Sequence, residues 1–258
     1  MTRVQAVVFD MDGVLIDSED LWKQVRVEFA ARLARRWSDE DQAATMGCNT
    51  AGWSRIMVER LSLREHGLDE AAVAHMVIDR LREKYRRHLP ARDGAAAAVR
   101  RLAARYPLAL ASGSPGAVGE YVLEAMGLAP LFAVCAWGDE VEHGKPAPDL
   151  YLLALARLGV AAQHAVGIED SGNGVRSLHA AGMGIVAAPH PLYPLRPEVA
   201  ALAAVCIGHL DELDAAVVEK AGFGWPESPI RSVPVDASRP ERPAHAGTSD
   251  AAGRHRSR

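Results

Sequence analysis

The sequence predicts an α/β fold, a parallel sheet with helices on both faces and a helical segment inserted after the first strand. Three observations carry this. Short apolar runs without polar alternation, such as Ala6 to Phe9, Leu108 to Ala111 and Ala165 to Ile168, suit strands buried on both faces. These runs alternate with stretches of helical character, which places helices on both sides of the sheet. From Ser18 to His88 no strand pattern occurs, and apolar residues recur at helical spacing.

The first run ends in Asp10-Met11-Asp12-Gly13. Side chains two apart in a strand point the same way. Asp10 and Asp12 are therefore expected to enter one site at the strand's carboxyl end, where open α/β sheets bind ligands. Gly13 allows a sharp turn. Two acids so placed can divide phosphoryl transfer: Asp10 attacks phosphorus, and Asp12 donates to the leaving oxygen and later takes a proton from water. The alternative is a strand-to-turn junction whose acids cap backbone groups.

After Glu19, Leu21, Val25, Phe29 and Leu33 mark one helix, and Val73, Val77, Leu81 and Tyr85 mark another. Arg80, Arg82, Lys84, Arg86 and Arg87 read as a solvated face of the latter. Pro90 and Asp93-Gly94 mark re-entry to the sheet region. A helix over Ala95 to Arg105 precedes the strand Leu108 to Ala111. The next helix is expected to start with Ser114 as N-cap and Pro115 as its first residue, and to run to Met126. Val134 to Ala136, Gly184 to Ala187 and Val205 to Ile207 are further strands, giving five or six in all. Helices ending near Gly159 and Gly182 fill the remaining connections. From Gly224 prolines alternate with Arg, Ser, Ala and His without apolar period, which predicts a mostly disordered tail.

Three further stations follow strands. Ser112 and Gly113 precede a helix N-terminus and can take phosphate oxygens; as helix caps the serines would have no such role. Lys145, in a loop stiffened by Pro146 and Pro148, can neutralise a transferring phosphoryl group and favour ionised Asp10. Glu169-Asp170 ends another apolar run. With Asp10, these acids offer hard oxygen ligands suited to Mg²⁺, unless Asp170 merely caps the next helix.

The chain has 258 residues, 49% of them hydrophobic, enough for one large core with an inserted smaller one. A net charge of −4 argues against nucleic acid as partner. No apolar run approaches the roughly 18 residues of a membrane span, and the N-terminus lacks a signal-peptide pattern. Cys48, Cys135 and Cys206 are far apart; the last two, in apolar runs, are expected as core thiols. A reduced, cytoplasmic setting follows.

Together Asp10-Met11-Asp12-Gly13-Val14, Ser112, Lys145 and Glu169-Asp170 resemble the four ordered motifs of the haloacid dehalogenase superfamily. The resemblance runs from about Val4 to Leu213. It implies a Rossmann-like core, here 1–17 and 89–223, with a mobile helical cap over 18–88 and the tail 224–258 outside it. It also implies Mg²⁺ bound by the Asp10 carboxylate, the Asp12 backbone carbonyl and Asp170. Within the superfamily the chain is similar to sugar-phosphate phosphatases and β-phosphoglucomutase. In such mutases an Arg follows the cap-loop Gly by three positions, where this chain has Thr50, and a His stands at the position of Trp22. The expected activity is therefore a phosphatase on a small sugar or polyol phosphate. A mutase with Arg55 replacing the missing Arg is the alternative, and an inactive binding protein a weaker one. Met46, Gly47, Cys48, Asn49 and Trp53 are the expected substrate-facing cap residues, and 16–18 and 88–92 the expected hinges. A monomer or weak homodimer is expected.

Overall fold

The computed structural model describes residues 4–45, 48–191 and 193–222. The predicted tail at 224–258 and the cap-loop residues Met46 and Gly47 lie outside them. Six parallel strands form one sheet: β1 (Ala6–Phe9), β2 (Leu108–Ser112), β3 (Phe132–Trp137), β4 (Ala165–Glu169), β5 (Gly184–Ala187) and β6 (Val205–Cys206). Their order is β3-β2-β1-β4-β5-β6. The chain builds outward from β1 to one side, then restarts at β4 on the other. The switch point between β1 and β4 opens a crevice at the carboxyl ends of the strands.

Alternate residues of the buried strands feed two cores. Val7, Phe9, Leu108, Leu110 and Ile168 pack with Val99 and Leu102 of α5 (Ala95–Ala103) and Val118 and Val122 of α6 (Gly116–Ala125). Val8, Ala109, Ala111 and Ile185 pack on the other face. Their partners include Tyr151 and Leu155 of α7 (Asp149–Leu158) and Leu178 of α8 (Gly172–Ala181). A two-sided apolar sheet thus explains the missing alternation in the strand sequences.

Between β1 and α5 lie α1 (Glu19–Arg32), α2 (Asp39–Thr45), α3 (Thr50–Arg60) and α4 (Glu70–Arg87). Here α4 packs against α1 and α3, and α2 against α3. Two strands of chain join this segment to the rest, side by side. Ile16 bridges Ala91 in antiparallel fashion, Asp17 N donates to Pro90 O at 2.8 Å, and Arg92 N donates to Leu15 O at 2.9 Å. Short helices α9 (Pro197–Ala200) and α10 (Ala215–Gly222) complete the fold.

Several expectations need correction. The buried stripe of α1 is Trp22, Val25, Arg26, Phe29 and Ala30, whereas Leu21 and Leu33 are only partly buried. The four-residue spacing picks out one edge of the apolar face; adding the three-residue steps brings Trp22 and Arg26 inside. The basic run of α4 is not simply solvated, because Arg80 Nε and Lys84 Nζ reach Glu28 of α1 at 2.9 and 2.7 Å. Pro115 is the N-cap residue of α6 rather than its first helical residue, and Ser114 supplies no cap. Cys206 is exposed and Cys135 only half-buried, since β6 is an edge strand and β3 the opposite edge.

Candidate active site

The carboxyl end of β1 is fixed by its neighbours. Asp10 N donates to Ile168 O at 3.0 Å, and the chain then turns at Gly13 with φ +81°. That angle favours glycine, and a Cβ there would lie 2.0 Å from Asp170 Oδ2. Arg92 staples the turn: its Nη1 donates to Gly13 O and, at 2.8 Å, to Ala188 O.

Asp12 is held by hydroxyls. Ser18 Oγ donates to Oδ1 at 2.6 Å, while Ser114 and Ser112 donate to Oδ2 at 2.8 and 3.1 Å. Ser112 Oγ also accepts from Ser114 N at 3.0 Å. Neither serine caps α6, so the cap alternative for this pair does not describe the structure.

Lys145 sits between two carboxylates, 2.7 Å from Asp10 Oδ1 and 2.7 Å from Glu169 Oε1. Its ammonium also lies 5.0 Å from the Tyr151 ring centroid, and Tyr151 OH donates to Glu169 Oε1 at 3.1 Å. Ser171 donates to Glu169 Oε2 through N at 2.8 Å and Oγ at 3.0 Å. The N-cap of α8 is Ser171, not Asp170.

These groups compete electrostatically. Burial pushes the Asp10 carboxyl up to about 8 against the opposing pull of Lys145, with Glu169 and Asp12 adding repulsion. Burial works against the charge on Glu169, yet Lys145 and Ser171 outweigh it and hold that carboxyl below its usual range. Burial likewise opposes the Lys145 charge, and the two carboxylates reverse this and raise it well above normal. Asp170 is pushed well up by burial, then by Glu169 and Asp10.

Asp10, Glu169 and Asp170 each offer a carboxylate oxygen within 4.8 Å of one another. Both Glu169 oxygens are already met by protein donors, whereas Asp170 Oδ1 is buried and accepts no hydrogen bond from the described residues. Three clustered acids beside one lysine, with an orphaned oxygen among them, fit a hard divalent cation.

A cavity of about 620 Å³ opens over these groups. Asp10, Asp12, Gly113, Ser114, Lys145 and Asp170 line its floor; Trp22, Arg26, Thr45, Cys48 and Trp53 belong to its helical wall. Ser112 lies beneath, fully buried. Asn49 is not part of the lining: its Oδ1 caps α3 at Gly52 N, and Nδ2 lies 3.5 Å from Val141 O and Glu142 O. Arg55, expected as a substitute cation, is exposed and off the cavity. Arg26, by contrast, is 5% exposed, and burial pushes its pKa down to about 10.

The model of the haloacid dehalogenase-like hydrolases matches residues 4–182. The chain belongs to this family. A phosphorylated carbohydrates phosphatase of Thermotoga maritima is 31% identical over 180 residues, 70% of this chain and 82% of that one. Fructose-1-phosphate phosphatase YqaB of Escherichia coli K12 is 31% identical over 187 residues, covering 71% and 96%. The crystal structure of CbbY from Rhodobacter sphaeroides in complex with phosphate superposes with a TM-score of 0.71 at 27% identity, over 83% of this chain and 99% of that one.

For this haloacid dehalogenase-like hydrolase, sequence reasoning missed Ser18, Ser114, Tyr151, Arg92 and Arg26. Ser114 was hidden by its resemblance to a cap. Tyr151 follows the Lys-Pro-x-Pro loop at the first turn of α7, where a buried phenol looks like ordinary core. The signal for Arg26 was a charged residue four positions after Trp22, on the apolar stripe.

Proposed function

We propose that the chain is a Mg²⁺-dependent phosphatase of small sugar or polyol phosphates, with Asp10 as nucleophile and Asp12 as general acid and base. One observation carries the reading: two carboxylates of the same strand end stand in different environments, Asp10 against Lys145 and Asp12 among three hydroxyls. Such a division separates the roles of nucleophile and proton carrier.

Asp10 Oδ1 is held by Lys145, so Oδ2 is the attacking atom. It bonds to phosphorus as the ester P–O bond breaks, and Asp12 gives its proton to the departing alkoxide. Asp12 then takes a proton from water, whose oxygen attacks the aspartyl phosphate and releases phosphate and Asp10. The carboxylates of Asp10 and Asp170, with the Asp12 carbonyl that the resemblance implies, would hold Mg²⁺, which would supply charge neutralisation on the phosphoryl oxygens and favour ionised Asp10. Glu169, its oxygens filled, fixes Lys145 rather than ligating. Ser114 and the Gly113 backbone face the cavity where the phosphoryl oxygens would lie.

The helices α1 to α4 act in this reading as a cap over residues 18–88, which closes to exclude bulk water. The paired strands at Ile16 and Ala91 are its hinge. The relatives named as phosphatases support hydrolysis, as does Thr50 where mutases of this type carry Arg. The test is a screen of sugar and polyol phosphates for inorganic phosphate release. Release is expected with Mg²⁺, stopping with EDTA and falling at least about 10³-fold in Asp10→Asn. Interconversion of sugar phosphates without phosphate release overturns it.

A further inference from the structure

We propose that Arg26 selects substrates that carry, beyond the phosphate attacked by Asp10, a second anionic oxygen group, a carboxylate or another phosphate. The proposal rests on the phosphatase reading and names its substrate class.

Arg26 lies on α1 in the wall of the cavity. Its guanidinium is flanked by two indoles, 5.0 Å from the Trp22 ring centroid and 5.5 Å from that of Trp53. Those contacts engage ring faces, and among the described residues no hydrogen bond takes up the N–H edge. Nε is buried and has no hydrogen-bond partner, and among the described residues no carboxylate pairs with the group. Other basic side chains of the lining are differently placed or committed. Arg196 is exposed to solvent, and His190 lies 3.4 Å from Asp17. Lys145 is bound between Asp10 and Glu169, and Arg176 Nη1 donates to its own helix at Gly172 O. Glu19 is close enough to favour the Arg26 charge, but its Oε1 accepts from Gln42 Nε2 at 2.7 Å.

A buried cation without a paired anion is costly, and native interiors pair such charges. The cavity is large enough for a ligand well beyond one phosphoryl group. An incoming carboxylate or phosphate would accept charge-assisted bonds from the N–H edge and recover the desolvation already incurred. A hydroxyl would recover much less, because it brings no charge. Planar bidentate recognition suits both anions equally. The apolar indoles, in turn, exclude water from the pair and strengthen it.

The experiment compares matched esters. One pair is terminally phosphorylated gluconate against terminally phosphorylated glucitol, which differ as carboxylate against hydroxymethyl. The other is fructose bisphosphate against fructose monophosphate. The wild-type protein is expected to favour the charged member of at least one pair by roughly 10- to 100-fold in kcat/KM. The carboxylate and phosphate arms identify which anion fits. Arg26→Gln is expected to remove that preference through KM with kcat largely kept, and Arg26→Lys to restore part of it. A role limited to bracketing the tryptophans would lower both members equally, and that result overturns the proposal. So does a wild-type protein indifferent to charge in both pairs. If Arg26→Gln does not fold, the wild-type comparison and Arg26→Lys decide. If no ester is hydrolysed, the phosphatase reading fails by itself. Calorimetric binding of the same four compounds to Asp10→Asn protein then decides Arg26, tighter binding of the charged members supporting it and equal binding overturning it.

Discussion

Gly174 shows how much of the site depends on one missing methyl group. A Cβ there would sit 1.5 Å from Glu169 Oε1 and 1.8 Å from its carboxyl carbon. Glu169 is folded under the first turn of α8, where Ser171 and Lys145 both reach it. Gly174→Ala must push the carboxylate aside, and Lys145 loses one of its two anchors. Misplacement by about 1 Å can cost on the order of 10²-fold in rate. A loss of that size in kcat is expected, with circular dichroism unchanged; kcat near the wild-type value would show that Lys145 needs no second anchor. The acids were legible because they end or closely follow apolar runs, and the lysine because Pro146 and Pro148 frame its loop. Ser112 was legible as the acids were, but the hydroxyls of Ser18 and Ser114 were not: Ser18 meets Asp12 only through the turn, and Ser114 reads as a helix cap.

At the scale of elements, strand runs were readable and helix faces less so. A strand buried on both sides shows itself as an unbroken apolar stretch. A helix such as α1 carries its inner face through mixed spacing, and three of its five buried residues, Trp22, Arg26 and Ala30, fell outside the simple four-residue repeat. The polar part of the join between α1 and α4 was hidden too, because it is made of charges at the edge of their shared apolar core. Glu28 accepts from Lys84 and Arg80, and the Lys84 hydrogen bond leads in holding its carboxyl below the usual range, against a smaller opposing effect of burial. A depressed carboxyl stabilises the fold above its ordinary value near 4.5, and the gain disappears as pH falls through the lowered value. Glu28→Gln is therefore expected to lower Tm at pH 7, with the gap to wild type shrinking below about pH 4.5. The side chains are partly exposed, so salt should narrow the gap at pH 7 as well. A gap independent of pH would assign the effect to packing.

For the whole molecule, the switch point that makes the site also strains it. The strand order brings the ends of β1 and β4 together, and with them Asp10, Glu169 and Asp170 around a single lysine. Like charges gathered in a buried place oppose folding until something of opposite sign joins them. Burial and the neighbouring carboxylates raise Asp170 for this reason. A bound divalent cation should then stabilise the fold by linkage, about 2.7 kcal/mol when present at 100 times its Kd. On the proposed reading, Asp170→Asn removes one charge and one cation ligand. In the presence of EDTA it is expected to melt higher than wild type, because repulsion is relieved. With Mg²⁺ added, wild type should rise in Tm while Asp170→Asn barely moves, and phosphate release by the variant should be lost. This opposite response of stability and activity is what a functional acidic cluster predicts. If Asp170→Asn instead melts lower than wild type in EDTA and still gains stability from Mg²⁺, Asp170 is structural and the cation binds elsewhere.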